Sequence, residues 1–140
     1  MGAYLGRDAI LRAVTLKTAE VKVPEWADPE SGADVVLVQE LRGRERDEFE
    51  ASLVVDRGNG KAYRDIRNLR AKLVARCIVD PETREPVFTK DDVAALGELS
   101  AAALDRVFGE ASKLSGLSDE DVEELAKNSG TAPDGGSSST

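Results

Sequence analysis

The sequence predicts an α+β fold in which an N-terminal β-hairpin is packed by a bundle of four to five short helices, followed by a disordered polar tail. Three observations carry that prediction. Val21 and Val23 alternate with Glu20 and Lys22 in KTAEVKVPEW, the period of a half-buried strand. The run VVLVQEL is β-branched enough to form its partner. From there on, apolar residues recur mostly at helical spacing, punctuated by caps and glycines. A two-stranded hairpin is marginal alone, so helices must cover one of its faces.

The elements follow in order. Arg7–Val14 reads as a short helix, with Asp8 in its first turn and Ile10, Leu11 and Val14 as its apolar residues. Pro24 ends the first strand or places it at a sheet edge. DPESGAD supplies turn chemistry between the two strands. In LRGRERDEFEASL, Phe49, Leu53 and Val54 fall on one helical face, and the spacing predicts a helix over 43–55 with charges of both signs on its wet side. DRGNG then reads as a helix–helix turn. Tyr63–Val79 is the strongest helical pattern, with Ile66, Leu69, Leu73 and Cys77 forming an apolar stripe among basic residues. DPETREP is a turn, and Val87-Phe88 returns briefly to extended structure. Thr89 with Asp92 reads as the cap of a short helix that Gly97 interrupts. Ser100 opens a longer helix whose Leu104, Val107, Phe108, Ala111 and Leu114 trace one face, with Gly116 as its stop. Ser118 caps a last helix with three acidic residues in its first turn and Val122, Leu125 and Ala126 facing inward. The chain divides into an N-terminal arm over 1–6, one domain over 7–128, and a polar tail over 129–140 with almost nothing to bury.

Composition narrows the chemistry. At 140 residues one hydrophobic core is affordable, and with 4% aromatics it must be built from Leu, Val, Ile and Ala. The chain holds no histidine, which removes the commonest general base and the commonest metal ligand. Cys77 has no second cysteine to pair with and sits on an apolar stripe, so it reads as a packed, inert thiol. Asp91-Asp92 and Asp119–Asp121 lack the alternating ligands and glycine of a calcium loop and stand at helix starts, where negative charge offsets the dipole. DRGNGK lacks the spacing and the Lys-Ser/Thr end of a phosphate loop. No cofactor and no metal is expected. The reading is a non-enzyme.

Net charge is −8, which argues against nucleic acid, yet it is uneven. Arg57, Lys61, Arg64, Arg67, Arg70, Lys72 and Arg76 face only Asp65 across one stretch, while the C-terminal segment from Leu117 is acidic. The basic stripe is read as a solvated face or a dock for an acidic protein or for the chain's own last helix. Lone Trp26 reads as a lid on a small core. No apolar run is long enough for a membrane span and no signal peptide is evident, so the expected location is the cytoplasm.

Three ordered stretches, LRGRERDEFEASLV, NLRAKLVARCIVDPETREPVFTKDDVAAL and SAAALDRVFGEASKLSGLSDEDVEELAKN, together with TLKTAEVKVPEW before them, resemble the tail assembly chaperones of long-tailed bacteriophages. The resemblance spans most of Arg7–Asn128. It implies a small non-enzymatic protein of the host cytoplasm that coats the aggregation-prone tape measure protein during tail-tube assembly. It further implies contact with the tail tube protein, self-association and, in many such families, a longer frameshifted product. A chaperone needs apolar surface it can share and charge for solubility. The faces of Ala101–Leu114 and Leu117–Ala126 are the candidates, and Leu104, Val107, Phe108, Leu114, Val122 and Leu125 the candidate partner-binding residues. For any one residue among them, closing the protein's own core is the favoured reading. A reading from another class is a regulatory adaptor whose basic helix and acidic C-terminal helix engage each other until a partner intervenes.

Overall fold

The computed structural model describes residues 3–56, 58, 62–117 and 119–127, with backbone alone for 56, 64, 119 and 125–127. The tail over 129–140, the cap Ser118 and most of the DRGNG turn lie outside the described residues. The architecture is α+β, as the sequence predicts.

Helix α1 (Arg7–Arg12) comes first, two residues shorter than expected, and none of its residues is buried. Strands β1 (Thr18–Lys22) and β2 (Val35–Gln39) form the antiparallel hairpin, with Thr18 opposite Gln39 and Lys22 opposite Val35. Pro24 opens a 3-10 turn, Pro24–Trp26, directly after β1. Its missing N–H and fixed φ suit the first position of such a turn. Trp26 is partly buried against the core.

Helix α2 (Gly43–Ala51) begins where Glu45 accepts a hydrogen bond from the Arg42 amide at 2.8 Å. Its wet side carries the expected pairs four residues apart, Arg44–Glu48 at 3.4 Å and Arg46–Glu50 at 3.3 Å. Phe49 and Leu53 are fully buried beneath it. The predicted helix to Val55 is overturned, because Val54–Asp56 forms strand β3 against β4 (Ala62–Arg64). Gly58, at φ +84°, therefore lies between two paired strands and not between two helices, and Gly60 lies outside the described residues. β-Branched Val54 and Val55 gain more from pairing with Arg64 and Tyr63 than from extending an exposed helix.

Helix α3 (Leu69–Cys77) is correspondingly shorter than the 17-residue pattern predicts. Asn68 precedes it at φ +60°, a left-handed conformation that asparagine tolerates better than most residues. Ile78-Val79 leaves the helix as strand β5 and pairs with Leu37 and Val38, making a three-stranded sheet in the order β1-β2-β5. The turn over 80–85 folds the chain back so that Pro86 bridges to Val79. Thr89 and Asp92 cap a 3-10 turn, Lys90–Asp92, that runs into α4 (Val93–Leu96). Helix α5 (Ala101–Leu114) starts with Ser100 Oγ accepting from the Ala103 amide at 3.3 Å and ends before Gly116 at φ +77°. Helix α6 (Asp119–Lys127) follows.

The core lies between the inner sheet face and helices α3 and α5. Val21, Val38 and Ile78 meet Leu73, Val74 and Cys77 from α3, and Leu104, Val107 and Phe108 from α5. Each such aliphatic or aromatic side chain contributes about 1.5–3 kcal/mol of burial. On the other side of α3, Ala71 and Ala75 pack against Leu96, with Phe88 and Val93 partly buried beside them. Helix α3 is thus enclosed from two directions.

Candidate functional site

Among the described residues no group of three or more Cys, Asp or Glu side chains is placed to hold a metal ion. Asp92 instead accepts the Thr89 amide at 2.8 Å, the helix-start role expected of it. Cys77 is buried, and burial pushes its thiol up to about 12 against the smaller opposing effect of a hydrogen bond with Ser115. A thiol held protonated in this way is no nucleophile.

The basic stripe is broken up by local partners. Arg67 forks onto Asp65 with its closest contact at 2.6 Å, and that guanidinium holds the carboxyl well below its ordinary range. Arg70 bonds Asp105 of α5 at 2.7 Å while lying 5.7 Å over the Phe108 ring. Arg76 reaches Glu48 of α2 at 3.4 Å, and Lys72 donates to the Ser52 carbonyl at 3.0 Å. Arg70, Lys72 and Arg76 thereby tie α3 to its neighbours, and Arg57 and Lys61 lie outside the described residues.

The predicted partner-binding residues separate into two groups. Leu104, Val107 and Phe108 are buried members of the core, with Leu104 5% and Phe108 8% exposed. Leu114 and Val122 are partly buried against it, and the Leu125 side chain lies outside the described residues. Of these, Phe108 and Val122 share a cleft of about 650 Å³ between α5 and α6, together with Gly109, Ser112 and Leu117. Arg106, Lys113 and Glu123 stand among its lining as charged groups. The cleft exists because Gly116 turns the chain sharply, with the Leu117 amide returning to the Ser112 carbonyl at 2.8 Å. Gly109 lines it, and a Cβ there would meet nothing within 4 Å, so a side chain at this position has open space in front of it. A glycine inside a helix costs about 0.5–1 kcal/mol relative to alanine. Ser112 Oγ is buried with no hydrogen-bond partner among the described residues.

Sequence reasoning did not anticipate a second groove, of about 620 Å³, running over α3 between α2 and the segment 86–94. Ala75 and Phe88 give it apolar lining, and Arg44, Lys72, Arg76 and Lys90 outnumber Glu45 and Glu48 around it. Its signal in the sequence was the alanine pair Ala71 and Ala75, whose small side chains let α4 approach while leaving space beside it.

A family model described as phage tail assembly chaperone matches residues 7–128. No curated protein and no solved structure matches the chain.

Proposed function

The chain belongs to the phage tail assembly chaperone family, and on that premise we propose that it binds the tape measure protein and keeps it soluble while the tail tube assembles. The single observation that carries this reading is the family match, which extends over the hairpin and every described helix. The protein acts by contact, without catalysis, in the host cytoplasm. The absence of histidine and the protonated, buried Cys77 support a non-catalytic role, and no helix among the described residues is long and apolar enough to cross a membrane.

The client segment enters the α5–α6 cleft. Partly buried Val122 offers apolar contact there over buried Leu117, a side chain at Gly109 would have open space before it, and the charged lining orients an amphipathic helix. Leu104 and Val107 lie behind this surface as its rigid backing, since both are committed to the core.

The test is co-expression with a phage tape measure protein, reading the soluble fraction. Gly109→Gln fills the cleft mouth while improving helix propensity, so it should hold or raise Tm and reduce client solubility. Failure of the wild-type chain to solubilise the tape measure protein would sink the function. Full solubilisation by a folded G109Q variant would sink the cleft and leave the function standing.

A further inference from the structure

The groove over α3 is cationic, in a chain whose net charge is −8. Among its described lining residues, Arg44, Lys72, Arg76 and Lys90 stand against Glu45 and Glu48, a local excess of +2. The bonds within the groove leave that excess in place. Glu48 is shared, reaching Arg44 and Arg76 at 3.4 Å each, so its one charge offsets only one of theirs. Glu45 is engaged by Arg42, through the amide at 2.8 Å and the guanidinium at 3.5 Å. Lys72 donates to the Ser52 carbonyl, a neutral acceptor, and the Asp65 carboxylate that it also feels is already forked by Arg67. Lys90 is exposed on the wall opposite Arg44.

The floor between these walls is apolar. Buried Ala75 and half-buried Phe88 and Val93 pack in the cluster between α3 and α4, and exposed Ala94 stands beside them. Cations thus flank an apolar strip, from α2 on one side and from the 3-10 turn Lys90–Asp92 on the other. An amphipathic helix with acidic flanks matches that arrangement. Its apolar face lies on the strip, and carboxylates three or four positions apart reach the walls.

The chain's own acidic segments are poor occupants. Helix α6 packs Val122 against the main core and gives no described residue to this lining. The segment over 128–140 has one carboxylate, Asp134, and no apolar residue larger than proline. A nucleic-acid strand is also a poor match, since it would bring a row of phosphates to a chain that is acidic as a whole.

We propose that this groove docks an acidic amphipathic helix of a different protein, at a site separate from the α5–α6 cleft. The two grooves share no described lining residue, so occupancy of one does not require the other. Coulomb attraction to both walls selects acidic over basic helices, and apolar contact holds the helix once it is seated.

The probe is a dye-labelled peptide of about 18 residues, built from Leu, Ala and Glu with Leu at helical spacing, titrated with the full chain and read by fluorescence anisotropy. It should bind saturably, at least about tenfold more tightly than the same peptide with Lys for Glu, and weaken as salt is raised. Arg44→Gln/Lys90→Gln, which removes one charge from each wall at exposed positions, should weaken it about tenfold, whereas Gly109→Gln should leave it unchanged. Ala94→Glu, also exposed, serves in place of the double variant should the latter alter the circular dichroism spectrum. Client solubilisation is no part of this readout, so its failure leaves the peptide result standing. Absent binding, equal binding of the Glu and Lys peptides, binding untouched by the wall variants, or loss on Gly109→Gln would each overturn the proposal. So would an oligothymidylate strand that binds more tightly than the Glu peptide and is lost on the same wall substitutions.

Discussion

Arg106 on helix α5 grips Glu25 through two parallel hydrogen bonds of 2.7 and 2.8 Å, fastening the helix to the turn that ends β1 across 81 positions of sequence. The forked guanidinium matches a carboxylate in a way a lysine ammonium cannot. This clamp fixes α5, and with it one wall of the α5–α6 cleft, to the hairpin.

The clamp sets a pH dependence. The bonds from Arg106 lower Glu25 from its ordinary 4.5 to about 2. A carboxyl with a depressed folded value contributes stability that is present above its unfolded value and is lost as pH falls through the folded one. Urea midpoints of the wild-type chain should therefore fall between about pH 4.5 and 2, and Glu25→Gln should show a shallower fall. Asp65 is also lowered, by Arg67, and adds to the wild-type slope in both proteins. Parallel slopes in the two proteins would show the clamp to be energetically silent.

Cys77 should be invisible to a thiol reagent in the native state. It is fully buried and its thiol stays protonated at neutral pH. Labelling at pH 8 should follow the urea unfolding curve, with negligible reaction before the transition. Rapid labelling of the folded chain would mean that α3 opens locally.

Leu104 and Phe108 should behave as core residues. Leu104→Ala is expected to cost about 2–5 kcal/mol and Phe108→Ala about 3–5 kcal/mol in urea unfolding. Val122, partly buried against the core, should lose much less on truncation to alanine. Equal costs at Leu104 and Val122 would mean that α6 is as much a part of the core as α5.

Asn68 and Gly97 should prove coupled. A Cβ at Gly97 would come within 2.4 Å of Asn68 Oδ1, and Asn68 itself is held at φ +60°. Gly97→Ala should destabilise the wild-type chain by less than about 1 kcal/mol, because an exposed side chain can swing aside. In an Asn68→Gly background the same change should become neutral or stabilising, since the obstruction is gone and alanine favours the helical backbone. Additive effects in the double-mutant cycle would deny the contact.

Much of the architecture was legible because it is local. Caps at Ser100 and at Thr89 with Asp92, the stop at Gly116, and the alternating valines of the first hairpin act within a few residues, where backbone preference and side-chain reach decide the outcome. Val54-Val55 and Ile78-Val79 were misread as helix ends for the opposite reason. A two- or three-residue apolar run fits helix or strand alike, and only the presence of Tyr63 and Arg64, or of Leu37 and Val38, across the ladder selects the strand.

The sequence by itself determined the α+β class, the helix boundaries near caps and glycines, the lack of histidine-based chemistry and the family to which residues 7–128 belong. Tertiary structure alone decided which apolar faces are spent and which are spare. Leu104 and Val107 close the core, whereas Ile10, Leu11, Val35 and Val87, no less apolar, stay in water. Periodicity shows that a face is apolar, but what covers it depends on segments distant in the chain, and burial is a property of their arrangement.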